Sequence, residues 1–124
     1  GKSLQWMQNP GNGGEWKKHL IAETGNIECT RAWDIDGDGY EEIVPNTPNS
    51  PLVYYSLKRD KNNKATGEFS TTKIAEKHGH GLGFGDINGD GFDDMIIGAP
   101  QAASADQWCH QFEQCFADPG RLPF

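Results

Sequence analysis

Three things are scarce in this 124-residue chain. Cysteine occurs only at Cys29, Cys109 and Cys115. An odd count excludes a fully paired intramolecular disulfide framework and identifies no redox compartment. Long apolar runs are missing too: no stretch of 18 apolar residues occurs, so no membrane-spanning helix is expected. Basic charge is the third. Eleven Lys and Arg face 18 Asp and Glu, for a net charge of −7. The basic residues are scattered and form no stripe, which argues against nucleic acid as a partner. The chain opens on Gly-Lys-Ser, which is compatible with a removed leader or with none.

Glycine and proline are plentiful instead, at 16 and 7, against 35% hydrophobic residues. That balance suits short strands joined by turns around a thin core. The acidity is concentrated in two stretches, DIDGDGYEE at Asp34–Glu42 and DINGDGFDD at Asp86–Asp94, which begin 52 residues apart. Around them the pattern repeats. IECTRAW precedes the first and HGLGFG the second; EEIVPNT and DDMIIGAP follow. PLVYYSLKRD and FSTTKIAEK come next in the first repeat, and SLQWMQNPG and EWKKHLIAET repeat those two elements at the N-terminus.

One repeat therefore reads as four short strands, with the acidic loop between the first and the second. Four strands in about 50 residues is the size of a β-propeller blade. The expected fold is all-β, about two blades of four-stranded antiparallel sheet. Residues 1–100 divide into a half blade, a full blade at 27–76 and a half blade at 77–100. A ring needs ~4–8 blades. The expected partners are therefore the rest of a longer propeller chain or, because the end halves are complementary, further copies of this chain. After Pro100 the repeat stops. Trp108, Phe112, Cys115 and Phe116 recur at helical spacing, predicting a short C-terminal helix from about Asp106 to Phe116 within a non-repeat tail, 101–124.

Carboxylates packed this closely repel. Two like charges 4 Å apart cost ~1 kcal/mol in water and ~4 kcal/mol at an effective dielectric of 20. A hard cation reverses that cost. Ca²⁺ takes six to eight oxygens, and alternate positions of a tight glycine-containing loop supply them. Loop one offers Asp34, Asp36, Asp38, the carbonyl of Tyr40, and Glu42. Loop two offers Asp86, Asn88, Asp90, the carbonyl of Phe92, and Asp94. An EF-hand is excluded, because its twelfth position must be a bidentate Glu and here is Pro45 or Ile97. The fifth loop position is expected to sit deepest. The longer Glu42 predicts weaker or differently shaped binding in loop one.

The pattern D-x-[DN]-x-D-G-x-x-[DE] is similar to the calcium loop of FG-GAP/VCBS propeller repeats. The resemblance runs from Gln5 to about Pro100, and FGDINGDGFDDMIIGAP keeps both the FG and the GAP pieces. The first repeat departs from it, with AWDIDG for FGDING and Pro45-Asn46-Thr47 where GAP would fall. The resemblance implies Ca²⁺ as a structural brace in an extracellular or secreted protein used for adhesion, sugar binding or scaffolding.

A second feature is KHGHGLGFGD, where His78 and His80 flank a glycine before loop two. On a strand they share one side and could bind a metal, exchange protons or contact a sugar. The same two side chains equally suit a structural role, hydrogen-bonded to backbone. H-G-L-G before an acidic calcium loop also resembles propellers of carbohydrate lyases such as the L-rhamnose–glucuronate lyases. That resemblance implies His80 as candidate acid or base, with His78 assisting, and carbohydrate as a possible ligand. Tyr54, Tyr55 and Arg31 are possible ligand contacts, with core or surface roles as the alternative.

Overall fold

The computed structural model describes residues 2–100. The predicted helix at 106–116, with Cys109 and Cys115, lies outside them. Within the described residues every regular element is a strand. They are β1 Ser3–Gln8, β2 Lys17–Glu23, β3 Cys29–Trp33, β4 Glu42–Asn46, β5 Leu52–Arg59, β6 Ala65–Ala75, β7 Leu82–Gly85 and β8 Asp94–Ile97. They form three antiparallel sheets: β1-β2, β3-β4-β5-β6 and β7-β8. The central sheet is an up-and-down meander, consistent with a propeller blade.

The core is small and sits around β4 and β5. Leu4, Val44, Leu52 and Tyr55 are its buried apolar side chains, each stabilising by about 1.5–3 kcal/mol through burial. β4 does not alternate. Four of its five residues are buried, as befits a central strand covered on both faces. Its pairing with β3 is complete from Trp33↔Glu42 to Cys29↔Asn46, whereas with β5 it pairs only at Ile43↔Tyr55. Pro45 has no N–H with which to extend that second ladder.

The β5–β6 hairpin turns at Asp60–Lys64. Its Asp60 carboxylate accepts the N–H groups of Asn62 (2.8 Å) and Lys64 (3.0 Å), and Asn63 takes the left-handed conformation at φ 62°. Asp and Asn are the residues that do this at low strain, so the polar link KNNK folds as a turn for a local reason.

Contacts between sheets join β7-β8 to the central sheet. The Trp33 and Phe84 rings stack at 5.2 Å, and Trp33 Nε1 donates to Asp93 at 2.8 Å. Further along the seam, Asn46 Nδ2 donates to the Gly79 carbonyl at 3.2 Å. Gly79 itself donates to Gly98 O at 2.9 Å, and a Cβ placed on it would lie 1.8 Å from the Ala99 carbonyl oxygen.

Candidate metal centre

Each acidic loop connects the end of one strand to the start of its hairpin partner. Asp34 follows Trp33, the last residue of β3, and Glu42 opens β4; Asp86 follows Gly85 of β7, and Asp94 opens β8. The ninth donor of each loop is therefore fixed on a strand and the first adjoins one.

The backbone N–H groups of the two loops are bonded one for one. In loop one, Asp34 Oδ1 accepts the N–H of Gly37 (2.9 Å) and Asp38 (3.1 Å), and Oδ2 accepts Gly39 (2.9 Å). In loop two, Asp86 Oδ1 accepts Gly89 (2.8 Å) and Asp90 (3.1 Å), and Oδ2 accepts Gly91 (2.8 Å). The fifth residue accepts from the seventh: Asp38 from Tyr40 at 2.8 Å, Asp90 from Phe92 at 3.0 Å. The ninth reaches back to the second: Glu42 Oε2 from Ile35 at 2.9 Å, Asp94 Oδ2 from Ile87 at 2.8 Å. The glycines coincide as well. Gly37 and Gly89 both have φ 75°, and Gly39 and Gly91 have φ 91° and 92°, a region that side-chain-bearing residues rarely enter.

In loop one, oxygens of Asp34, Asp36 and Glu42 all lie within 4.8 Å of one another. Ligands at ~2.3–2.6 Å from a Ca²⁺ ion stand at most about 5 Å apart, so this set fits one hard cation. The environment of Glu42 supports the fit. It is 2% exposed, and no Lys, Arg or His pairs with it among the described residues. Burial, and then the negative charges of Asp36, Asp38 and Asp34, push its carboxyl above the usual range, against a lowering by the Ile35 N–H bond. A buried carboxylate among like charges is stable when a cation joins it. The ninth position is thus the deep one. Asp38 and Asp90, at the fifth, are exposed at the loop tips, whereas the strand start buries Glu42 and half-buries Asp94.

Loop two has the same backbone but a different donor set. Asn88 stands where loop one has Asp36, and Asp86 is exposed where Asp34 is half-buried.

The two histidines are separated by their surroundings. Neither lies on β7, which starts at Leu82, so the shared strand face expected from the sequence does not form. His78 is fully buried. Its Nε2 accepts the Thr47 N–H at 3.0 Å and its Nδ1 bonds the Ser50 carbonyl at 2.9 Å. The Ser50 carbonyl can only accept, so Nδ1 carries the proton and Nε2 does not. Burial lowers the pKa of the ring, with the Ser50 bond opposing. His78 thus occupies both nitrogens on backbone groups and presents none to a ligand. His80 is exposed and its Nδ1 lies 2.6 Å from Glu28 Oε1. Tyr55 is a core residue, Tyr54 half-buried and Arg31 exposed.

Sequence reasoning missed Glu28, Thr47, Ser50 and Asp93. Glu28 was within reach, because it is offset from His80 by the same 52 residues that separate the loops. Nothing in the sequence marked Thr47 or Ser50 as partners of a histidine about 30 positions away.

Residues 78–107 match the FG-GAP repeat, a span that contains all of loop two and continues past the described residues. The chain is 35% identical over 69 residues to integrin alpha-V of Gallus gallus. It is 37% identical over 77 residues to integrin alpha pat-2 of Caenorhabditis briggsae, and 36% over 76 to that of Caenorhabditis elegans. The alignments take in 54%, 58% and 57% of this chain, but span only 7%, 6% and 6% of those relatives. No solved structure is significantly similar. The second acidic loop therefore lies within the segment that matches the FG-GAP repeat, and a little over half of the chain is similar to integrin alpha chains.

Proposed function

We propose that the chain is a calcium-braced segment of an FG-GAP/VCBS β-propeller, about two blades of it, belonging to a larger extracellular adhesion or carbohydrate-binding protein. The carrying observation is the repetition of the same backbone-to-carboxylate hydrogen bonds in both loops, together with a buried Glu42 that has no basic partner among the described residues. In this reading the ion braces each β-hairpin at its turn. The likeness to integrin alpha chains supports adhesion and an extracellular location. The exposed fifth position in each loop suits the weaker class of calcium site, about 10⁻⁴–10⁻³ M, found in extracellular modules. The remaining blades come from the rest of the parent protein or from other copies of this chain, which a mass measurement in solution distinguishes. No helix among the described residues is long and apolar enough to cross a membrane.

The test is calorimetric titration of the chain with Ca²⁺, beside Asp34→Ala and Asp86→Ala. Two sites, each abolished by one variant, are expected. Absence of heat at millimolar calcium, with the chain folded, overturns the reading.

A second reading rests on the exposed His80–Glu28 pair, in which a carboxylate orients an imidazole. It makes His80 the acid or base of a sugar lyase or dehydratase. The family match and the relatives named above lend that resemblance no support, and His78 has no free nitrogen with which to assist. Unchanged turnover of uronate-containing glycans by His80→Ala in the complete protein removes it.

A further inference from the structure

Tyr40 sits at the seventh position of loop one, and its side chain is held from two sides. The Arg59 guanidinium lies over the ring, 3.6 Å from its centroid. The Asn63 side-chain amide donates to the Tyr40 hydroxyl. The two holders are themselves tied together, since Arg59 donates to the Asn63 carbonyl at 3.2 Å. Arg59 ends β5 and Asn63 is the left-handed residue of the hairpin turn. The tip of the β5–β6 hairpin therefore grips the tip of the acidic loop, although β4 and β5 lie between them in sequence. A cleft of about 380 Å³, lined by Asp38, Glu42, Tyr40, Arg59 and Asn63 among others, lies between them.

We infer that Arg59 and Asn63 are positioning residues for the cation site of loop one, acting through the Tyr40 side chain. The inference rests on the calcium reading above. The seventh donor is a backbone carbonyl, which has no rotamer of its own; its aim is set by the backbone on either side. Fixing the Tyr40 side chain to a separate hairpin fixes that backbone before the ion arrives. Ordering already present in the free protein is not charged against binding, and partners outside the ligand set commonly change metal affinity ~10–100-fold. Arg59 also brings positive charge beside the acidic loop. It is engaged by the Tyr40 face and by Asn63 O, and it pairs with none of the loop carboxylates, so it does not compete with the ion for donors. Loop two supplies an internal control. Its seventh residue is Phe92, which has no hydroxyl to receive an equivalent bond. Loop one is thus the tighter site, contrary to what the length of Glu42 suggests from sequence.

The experiment uses the full chain and Tb³⁺ as the probe, with Tyr40 as sensitiser, alongside Ca²⁺ calorimetry. Asp86→Ala isolates loop one and Asp34→Ala isolates loop two. On the Asp86→Ala background, Asn63→Gly keeps the turn conformation and removes the amide, and Arg59→Ala removes the ring contact. Each is expected to weaken Ca²⁺ at loop one by about tenfold and, introduced instead on the Asp34→Ala background, to leave loop two unchanged. Circular dichroism and melting in chelator confirm that each variant folds; should Arg59→Ala fail, Tyr40→Phe tests the same grip with the ring retained. Loop-one affinity within twofold of the parent in Asn63→Gly and Tyr40→Phe overturns the inference while leaving the calcium reading intact. Loss of all binding in the parent overturns the calcium reading itself.

Discussion

The buried ring of His78 accepts the Thr47 N–H at Nε2 and bonds the Ser50 carbonyl at Nδ1. Through one side chain the entry to β7 is bonded to the connection between β4 and β5. The His78 carbonyl adds a third link by accepting Asn49 N–H at 2.7 Å. The seam between two sheets is thus polar and specific where it is buried, and aromatic at Trp33 and Phe84 where it meets solvent.

Replacing His78 by Ala removes both ring bonds and leaves a cavity. The expected loss is about 3 kcal/mol. Chemical denaturation should show a lower midpoint, and hydrogen exchange should show faster opening at Thr47. An unchanged midpoint would mean that the seam does not contribute to cooperative stability.

His78 also sets an acid limb. Its folded pKa lies below the ordinary 6.5 because burial disfavours the charged ring. The unfolded chain therefore binds the extra proton first. Stability from this group is complete above about pH 6.5 and is lost as pH falls towards the folded pKa. Melting scans from pH 7.5 to 5 should show a decline that the His78→Ala variant lacks.

Glu42 has the opposite sign. Its folded pKa is raised above 4.5, chiefly by burial. In chelator, its ionised form destabilises the fold. That penalty is absent below about pH 4.5 and appears as pH rises through the folded pKa. Comparing the protein with Glu42→Gln at each pH isolates the effect. At pH 7 the variant should melt higher in chelator and lower in millimolar Ca²⁺. A variant that melts lower in both conditions would leave Glu42 with a packing role alone.

Chelation of the unmodified chain should lower the melting temperature, and added Ca²⁺ should restore it with a dependence on concentration. Mass action predicts about 2.7 kcal/mol at a hundredfold excess over Kd. Asp38→Ala should reduce this shift less than Asp34→Ala. Asp34 accepts three loop N–H groups and joins the oxygen cluster, whereas Asp38 is exposed at the tip.

Much of this was legible in the sequence because it is local. The acidic loops announced themselves by alternating carboxylates and by glycines at fixed offsets. The strands around them followed from apolar runs bounded by turn residues. Even the hairpin at Asp60–Lys64 could be anticipated from its Asp and Asn residues. What escaped was set by tertiary contacts. Glu42 was read as a longer and weaker ligand, and only the burial of β4 makes it the deep one. His78 and His80 looked like a pair, because two residues apart on a strand means one face. The chain is not a strand there, and one ring turns inward while the other meets Glu28. The grip on Tyr40 joins residues about 20 positions apart, with no periodicity to betray it.

Gly79 has an ordinary φ, so its constraint is one of room alone. Even a methyl group there would collide with the Ala99 backbone. To make way, Gly98–Ala99 would have to peel from Gly79, drawing the neighbouring imidazole out of its socket. A single added carbon, outside both acidic loops, would then uncouple adjacent sheets while leaving both ion-binding turns chemically intact.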